Sequence, residues 1–281
     1  NRNCKMIELG KYNTLRADRN TEPGVYLEDE NGEAVLLPHK YVPLTLRLGD
    51  MLEVFIYADN ENRLIATTLK PSMCLHEFGL LKVNSVTNYG AFAEWGVAKD
   101  LLIPLKEQAK KLQEGQTTIG YLFVDDVTGR LTASTKLARY MSEEKPELGV
   151  GDEVEILVAD GNDLGVQVIV NNKHWGMVFD NDIIEPLMRG SKQKAYVRKV
   201  RDDKKIDIAL EKDGYQKVEP NAQRILDAID KNGGVLNLTD KSDPEDIRDQ
   251  LVMSKKTFKK AVGLLYKEKR IVIDDTCLRM A

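Results

Sequence analysis

The residues best placed to do chemistry are cations in two short clusters. Residues 188–206 hold eight Lys/Arg and two Asp, a net +6, and residues 254–270 hold seven Lys/Arg and one Glu, again +6. The whole chain is mildly acidic, with 41 Lys+Arg against 45 Asp+Glu for a net −4. For a polyanion the local density of charge matters more than this mean, because exposed charges are screened beyond about 10 Å in salt. In the first cluster Lys192, Lys194, Arg198, Lys199, Arg201, Lys204 and Lys205 run along a predicted hairpin. Alternate residues of a strand share a face, so Lys194, Tyr196 and Arg198 form a cationic stripe with one ring. Such a stripe can follow a phosphate backbone; a merely solvated face is the plain alternative.

Bond-making chemistry finds no such footing. His39, His76 and His174 are isolated and lack metal-ligand spacing. Cys4, Cys74 and Cys277 form no C-x-x-C pair, so neither a zinc ribbon nor a disulfide framework is indicated. There is no G-K-[ST] phosphate loop. No acid–base pair has a supporting third group. A binding protein is expected rather than an enzyme, with no metal and no cofactor. No apolar run approaches the roughly 18 residues of a membrane span. Asn1 to Leu9 lack a signal-peptide core, and three scattered thiols suit a reducing compartment. The expected location is the cytoplasm.

Three repeats position these residues. Gly24, Gly90 and Gly165 each open a short strand. An apolar strand ends 14 positions after each, at Pro38, Pro104 and Phe179, and a second glycine follows the first by 25 positions, at Gly49, Gly115 and Gly190. Each second glycine precedes two more strands: Leu52–Tyr57 and Arg63–Thr67, Thr118–Phe123 and Arg130–Ser134, Lys194–Val200 and Lys205–Leu210. The first strands are Tyr12–Leu15, Leu80–Val86 and Val154–Val158. Five short alternating strands in about 65 residues make a small closed Greek-key barrel, and closure removes the edges that would otherwise aggregate.

In the second repeat the run Tyr89-Gly90-Ala91-Phe92-Ala93, the Gly115-Gln116 pair and the final Gly129-Arg130-Leu131-Thr132-Ala133-Ser134 strand resemble the ribosomal S1-type RNA-binding domain, a member of the OB-fold group. The resemblance implies an RNA face made of two strand-two aromatics, a polar residue closing strand three, and an acid–base pair at the last turn. In the second repeat these positions hold Tyr89, Phe92, Asp126 and Arg130, with Pro104 closing strand three. The first repeat matches with Tyr26, Asp59 and Arg63, and has Pro23 and Pro38 at the other two positions. The third has Leu164, Gln167 and Phe179, with Arg201 and Lys205 at the turn, which suggests backbone contacts in place of stacking. Exposed rings on a sheet can stack bases at roughly 1–3 kcal/mol each. Barrel core or ordinary surface packing is the alternative for Tyr26, Tyr89 and Phe92.

From Pro220 the apolar period changes from 2 to 3.6. Ala222, Ile225, Leu226 and Ile229 predict a helix ended by Gly233-Gly234. A strand over Val235–Leu238, a helix opened by Ser242-Asp243-Pro244, a helix capped by Ser254, and a hairpin around Asp274-Asp275 complete a winged helix. On a wheel of 100° per residue Phe258, Ala261, Val262 and Leu265 share one arc. Lys255, Lys256, Lys259, Lys260 and Lys267 lie opposite, with Gly263 among them. No Asn, Gln or Arg stands on that face to read bases, which favours phosphate clamping over groove readout. Docking of a protein is the alternative.

The fold class expected is mostly β: three tandem five-stranded OB-fold (S1-like) barrels over 1–72, 73–147 and 148–215, then an α+β winged-helix domain over 216–281. This order is similar to that of the bacterial conserved virulence factor B family of RNA-binding proteins. The resemblance implies a single-stranded RNA partner and post-transcriptional regulation of gene expression. A DNA-binding transcription regulator led by the winged helix is the rival expectation.

Overall fold

The computed structural model describes residues 6–183, 186–211 and 220–281. The chain parts into two compact units, residues 1–212 and 213–281. Cys4 lies outside the described residues.

The first unit contains three closed five-stranded barrels of one topology. Strands β1 (Tyr12–Asn20), β2 (Gly24–Glu28), β3 (Ala34–Pro38), β4 (Met51–Ala58) and β5 (Leu64–Thr67) close in the order β1-β2-β3-β5-β4. The second barrel repeats this with β6 (Phe78–Val86), β7 (Gly90–Glu94), β8 (Leu101–Pro104), β9 (Thr117–Val124) and β10 (Leu131–Ser134). The third uses β11 (Glu153–Asn162), β12 (Gly165–Val170), β13 (His174–Phe179), β14 (Lys192–Val200) and β15 (Ile206–Ala209). The third and fifth strands of each pair in parallel, at Leu36 with Ile65, Thr132 with Leu102, and Gly176 with Ile206 among others. The last strands begin one residue later than the sequence suggests, so Arg63, Arg130 and Lys205 stand in the preceding turns.

The spacing of the glycines has a backbone cause. A Cβ on Gly24, Gly90 or Gly165 would sit 2.1, 2.3 or 2.1 Å from the carbonyl oxygen of Leu37, Ile103 or Val178 on the paired strand. Only a residue without a side chain lets the two backbones approach so closely. The second glycine of each repeat reaches back to strand one. The N–H groups of Gly49, Gly115 and Gly190 donate to the carbonyls of Ala17, Val83 and Val158 at 2.7, 2.8 and 2.8 Å. Those three residues are where the register of the first strand shifts against strand two. A bulge there coils the strand sharply, as closure of so narrow a barrel requires.

Neighbouring barrels share apolar cores. Phe55 and Tyr57 of β4 pack with Met73, Trp95 and Val97 of the second barrel region. Phe78 and Ile119 pack with Leu157, Ala159 and Ile169 of the third. At that second joint the Asn172 side chain accepts the Phe78 N–H and donates to the His76 carbonyl, both at 2.9 Å.

The second unit is a winged helix: α1 (Pro220–Lys231), β16 (Val235–Leu236), α2 (Pro244–Leu251), α3 (Lys255–Lys267), β17 (Ile271–Ile273) and β18 (Leu278–Met280). The sheet order is β16-β18-β17. The strand expected to reach Leu238 stops at Leu236, although the Leu238 side chain is buried. Asp243 accepts the Glu245 N–H at 2.9 Å and Ser254 the Thr257 N–H at 3.1 Å, so both helices start where side-chain caps satisfy their free donors. Phe258, Ala261, Val262 and Leu265 enter a core with Ala222, Ile225, Leu226 and Ile229. Among the described residues no helix is long and apolar enough to cross a membrane.

Candidate nucleic-acid interface

The second barrel presents rings on a fixed frame. Tyr89 stands just before β7 with its residue 82% exposed. Its backbone is pinned: the carbonyl accepts the Leu105 N–H at 3.2 Å, and its N–H donates to Thr87 Oγ1 at 3.2 Å. Phe92 is part-buried on the outer face of β7, between the buried Ala91 and Ala93. Arg130 is exposed in the β9–β10 turn, and among the described residues it makes no ion pair. Asp126 is exposed in the same turn. The residue that shapes this turn is Asp125, whose carboxylate accepts the Thr128 N–H at 2.9 Å and the Thr128 hydroxyl at 3.0 Å. These bonds hold its carboxyl below the usual range.

The first barrel has the same layout with fewer open groups. Tyr26 occupies the place of Phe92 and Pro23 that of Tyr89, each counted from the strand-two glycine. The Arg19 guanidinium lies over the Tyr26 ring, 4.6 Å from its centroid. Asp59 accepts the backbone N–H of Arg63 at 2.9 Å and its Nε at 2.9 Å, and these bonds lower its pKa. Arg63 also meets Glu61 at 2.9 Å. The Asp59 N–H donates to the Arg63 carbonyl, and the Asp125 N–H donates to that of Arg130. Asp125 therefore stands where Asp59 stands. Spacing alone picked Asp126, because the second turn is one residue longer.

The third barrel keeps the stripe but ties up its charge. Ala195 and Val197 point into the core, leaving Lys194, Tyr196 and Arg198 on the outer face. Lys194 pairs with Glu153 at 2.7 Å, and Arg198 grips Asp182 at 2.5 and 3.0 Å. Arg201 bonds Asp207 at 2.6 Å and lies over Phe179, 5.6 Å from the ring centroid. Lys205 meets Asp203 at 3.6 Å and Lys192 meets Glu77 at 3.9 Å. Apart from Asp203, these carboxylates lie outside the +6 window, so counting the window overstates the free charge.

Helix α3 shows the opposite state. Lys256, Lys259, Lys260 and Lys267 are exposed, and among the described residues none makes an ion pair. A Cβ on Gly263 would meet nothing within 4 Å. Packing therefore does not require this glycine, and the face is open where it sits. Tyr266, 59% exposed, shares the arc and supplies a ring that the lysine count missed. Lys255 differs from the other lysines: its Nζ donates to the Ser242 carbonyl at 2.8 Å, inside the domain.

Comparison with known proteins finds two matching families. Residues 9–69 match the S1 domain family, and residues 223–280 match the CvfB-like winged helix domain. The chain is 27% identical to the YitL protein of Bacillus subtilis, covering 96% of this chain and 93% of that one. It is 24% identical to Conserved virulence factor B of Staphylococcus saprophyticus, covering 88% and 86%. A solved structure of a multidomain protein with nucleic acid binding domains from Streptococcus pneumoniae is similar at 22% identity, covering 97% and 98%, with a TM-score of 0.43. The S1 match supports nucleic-acid binding.

Proposed function

We propose that this chain, similar over most of its length to the conserved virulence factor B proteins and ending in their kind of winged helix, binds single-stranded RNA. It acts by binding rather than by catalysis, in post-transcriptional control of gene expression in the cytoplasm. The observation that carries this reading is Tyr89: a large ring left 82% exposed on a backbone held at both its N–H and its carbonyl. Exposing a ring forfeits burial energy, and a base stacked on it restores that contact. A duplex hides the faces of its bases, so an unpaired strand suits the ring. The cation of Arg130 in the β9–β10 turn suits a phosphate or a second stacking plane.

The test is fluorescence anisotropy of the full chain with single-stranded RNA, single-stranded DNA and duplex DNA, each at two salt levels. Tighter binding of the unpaired RNA at both salts is expected. Duplex DNA winning at both would sink the reading.

One observation favours a second reading. The free lysines of α3 could clamp a duplex backbone, as in a transcription regulator. That reading expects salt-sensitive duplex binding that survives removal of residues 1–215.

A further inference from the structure

The first and second barrels meet where the β4–β5 turn of one faces the start of β8 in the other, and Lys99 stands at that joint. Its Nζ donates to the carbonyl oxygens of Ala58 at 3.0 Å and Asp59 at 2.7 Å, across the barrel boundary. Its own carbonyl accepts the indole N–H of the buried Trp95 at 2.8 Å. Trp95 in turn packs edge-on against Phe55 of the first barrel, with centroids 5.6 Å apart. The ammonium is thus placed by both barrels. Arg130 is its neighbour. The parallel register of Thr132 with Leu102 sets Arg130 and Asp100 level at the starts of β10 and β8, and the Asp100 carboxylate is taken up by the Asn84 amide at 3.1 and 3.2 Å.

Neither cation has a carboxylate partner at ion-pair distance among the described residues. Lys99 rests on neutral carbonyls instead, unlike Lys194, Arg198 and Arg201 of the third barrel. Burial and the Arg130 guanidinium push the Lys99 ammonium below the usual lysine range, and Asp59 works against that shift. Two like charges at one joint repel, and an anion seated between them turns the repulsion into attraction. Arg63, on the far side of the joint, is already held by Asp59 and Glu61.

We propose that Lys99 and Arg130 together seat one phosphate of an unpaired RNA strand at this joint, so that a single strand runs unbroken between Tyr26 of the first barrel and Tyr89 and Phe92 of the second. The inference rests on the single-stranded RNA reading above. It makes the first two barrels one composite track, with Lys99 both a phosphate contact and the residue that fixes the track's alignment.

The test uses the full chain and labelled oligouridine RNA of about four and about twelve nucleotides, since one barrel of this type takes roughly 4–16. Affinity is followed across a salt series. For the twelve-mer, Lys99→Met and Arg130→Gln should each lower the slope of log affinity against log salt by about 0.7, the contribution of one phosphate on a single strand. The double variant should lose the same amount and no more, because the phosphate is seated only where both cations meet it. Lys99→Arg, which keeps the charge and two donors, should retain the wild-type slope.

Thermal melting accompanies each variant. Arg130→Gln sits on an exposed turn and carries the test alone if Lys99→Met weakens the joint. Unchanged slopes, or losses that add to about 1.4 in the double variant, overturn the shared phosphate while leaving RNA binding intact. A loss equal for four-mer and twelve-mer overturns the composite track. A wild-type protein that binds neither oligomer overturns this inference together with the function it rests on.

Discussion

The variant carrying Tyr89→Ala and Phe92→Ala is expected to lose about 2 kcal/mol or more of its affinity for single-stranded RNA, roughly thirtyfold. Two rings lose two stacked bases. The two sites differ in what else they lose. Tyr89 is 82% exposed, so its truncation removes little packing and should leave the melting temperature in place. Phe92 is part-buried on β7, so its truncation also costs stability. Phe92→Leu separates the two, keeping apolar bulk while removing the flat face. Tyr89→Phe should bind as the parent does if the ring stacks and its hydroxyl is idle. Anisotropy and melting on the same samples decide between a lost face and a lost fold.

Reversing three lysines of α3, as Lys256→Glu, Lys259→Glu and Lys260→Glu, is the second large effect. If these lysines hold phosphates, the salt slope for single-stranded RNA should fall by about 2, at about 0.7 per contact. Their side chains are exposed and unpaired among the described residues, so little stability should follow them. Lys255 does not belong to this set. It donates to the Ser242 carbonyl, and Lys255→Ala should lower domain stability by about 1 kcal/mol. A salt slope unmoved by the triple reversal would mean that α3 docks something other than nucleic acid.

The three barrels were legible because their glycines answer a backbone constraint that repeats. Wherever strand two must touch strand three, no side chain fits, and wherever strand one bulges, a glycine N–H closes onto it. Such constraints are local and appear as fixed offsets. The winged helix was legible for a similar reason, since caps at Asp243 and Ser254 and the arc of Phe258 and Leu265 are all read within one turn or two.

What stayed hidden depends on residues distant in the chain. Glu153, Asp182 and Asp207 neutralise Lys194, Arg198 and Arg201 from other strands and turns. Lys99 gains its role only because two barrels share the Phe55–Trp95 contact. That Asp125 rather than Asp126 is the counterpart of Asp59 turns on one extra residue in a turn, which offsets from Arg130 cannot register. Lys255 and Tyr266 changed places in importance, because helical periodicity places side chains on a face but does not say which one a neighbouring loop has taken.

Unpaired bases lying against the strand-two rings of the first two barrels are the central contact. Ultraviolet crosslinking of single-stranded RNA to the intact chain, read by mass spectrometry of the peptides, addresses that contact itself. Nucleotide adducts should appear on the peptides that carry Tyr26, Tyr89 and Phe92. Adducts confined to the α3 peptides, with those barrel peptides clean, would contradict it.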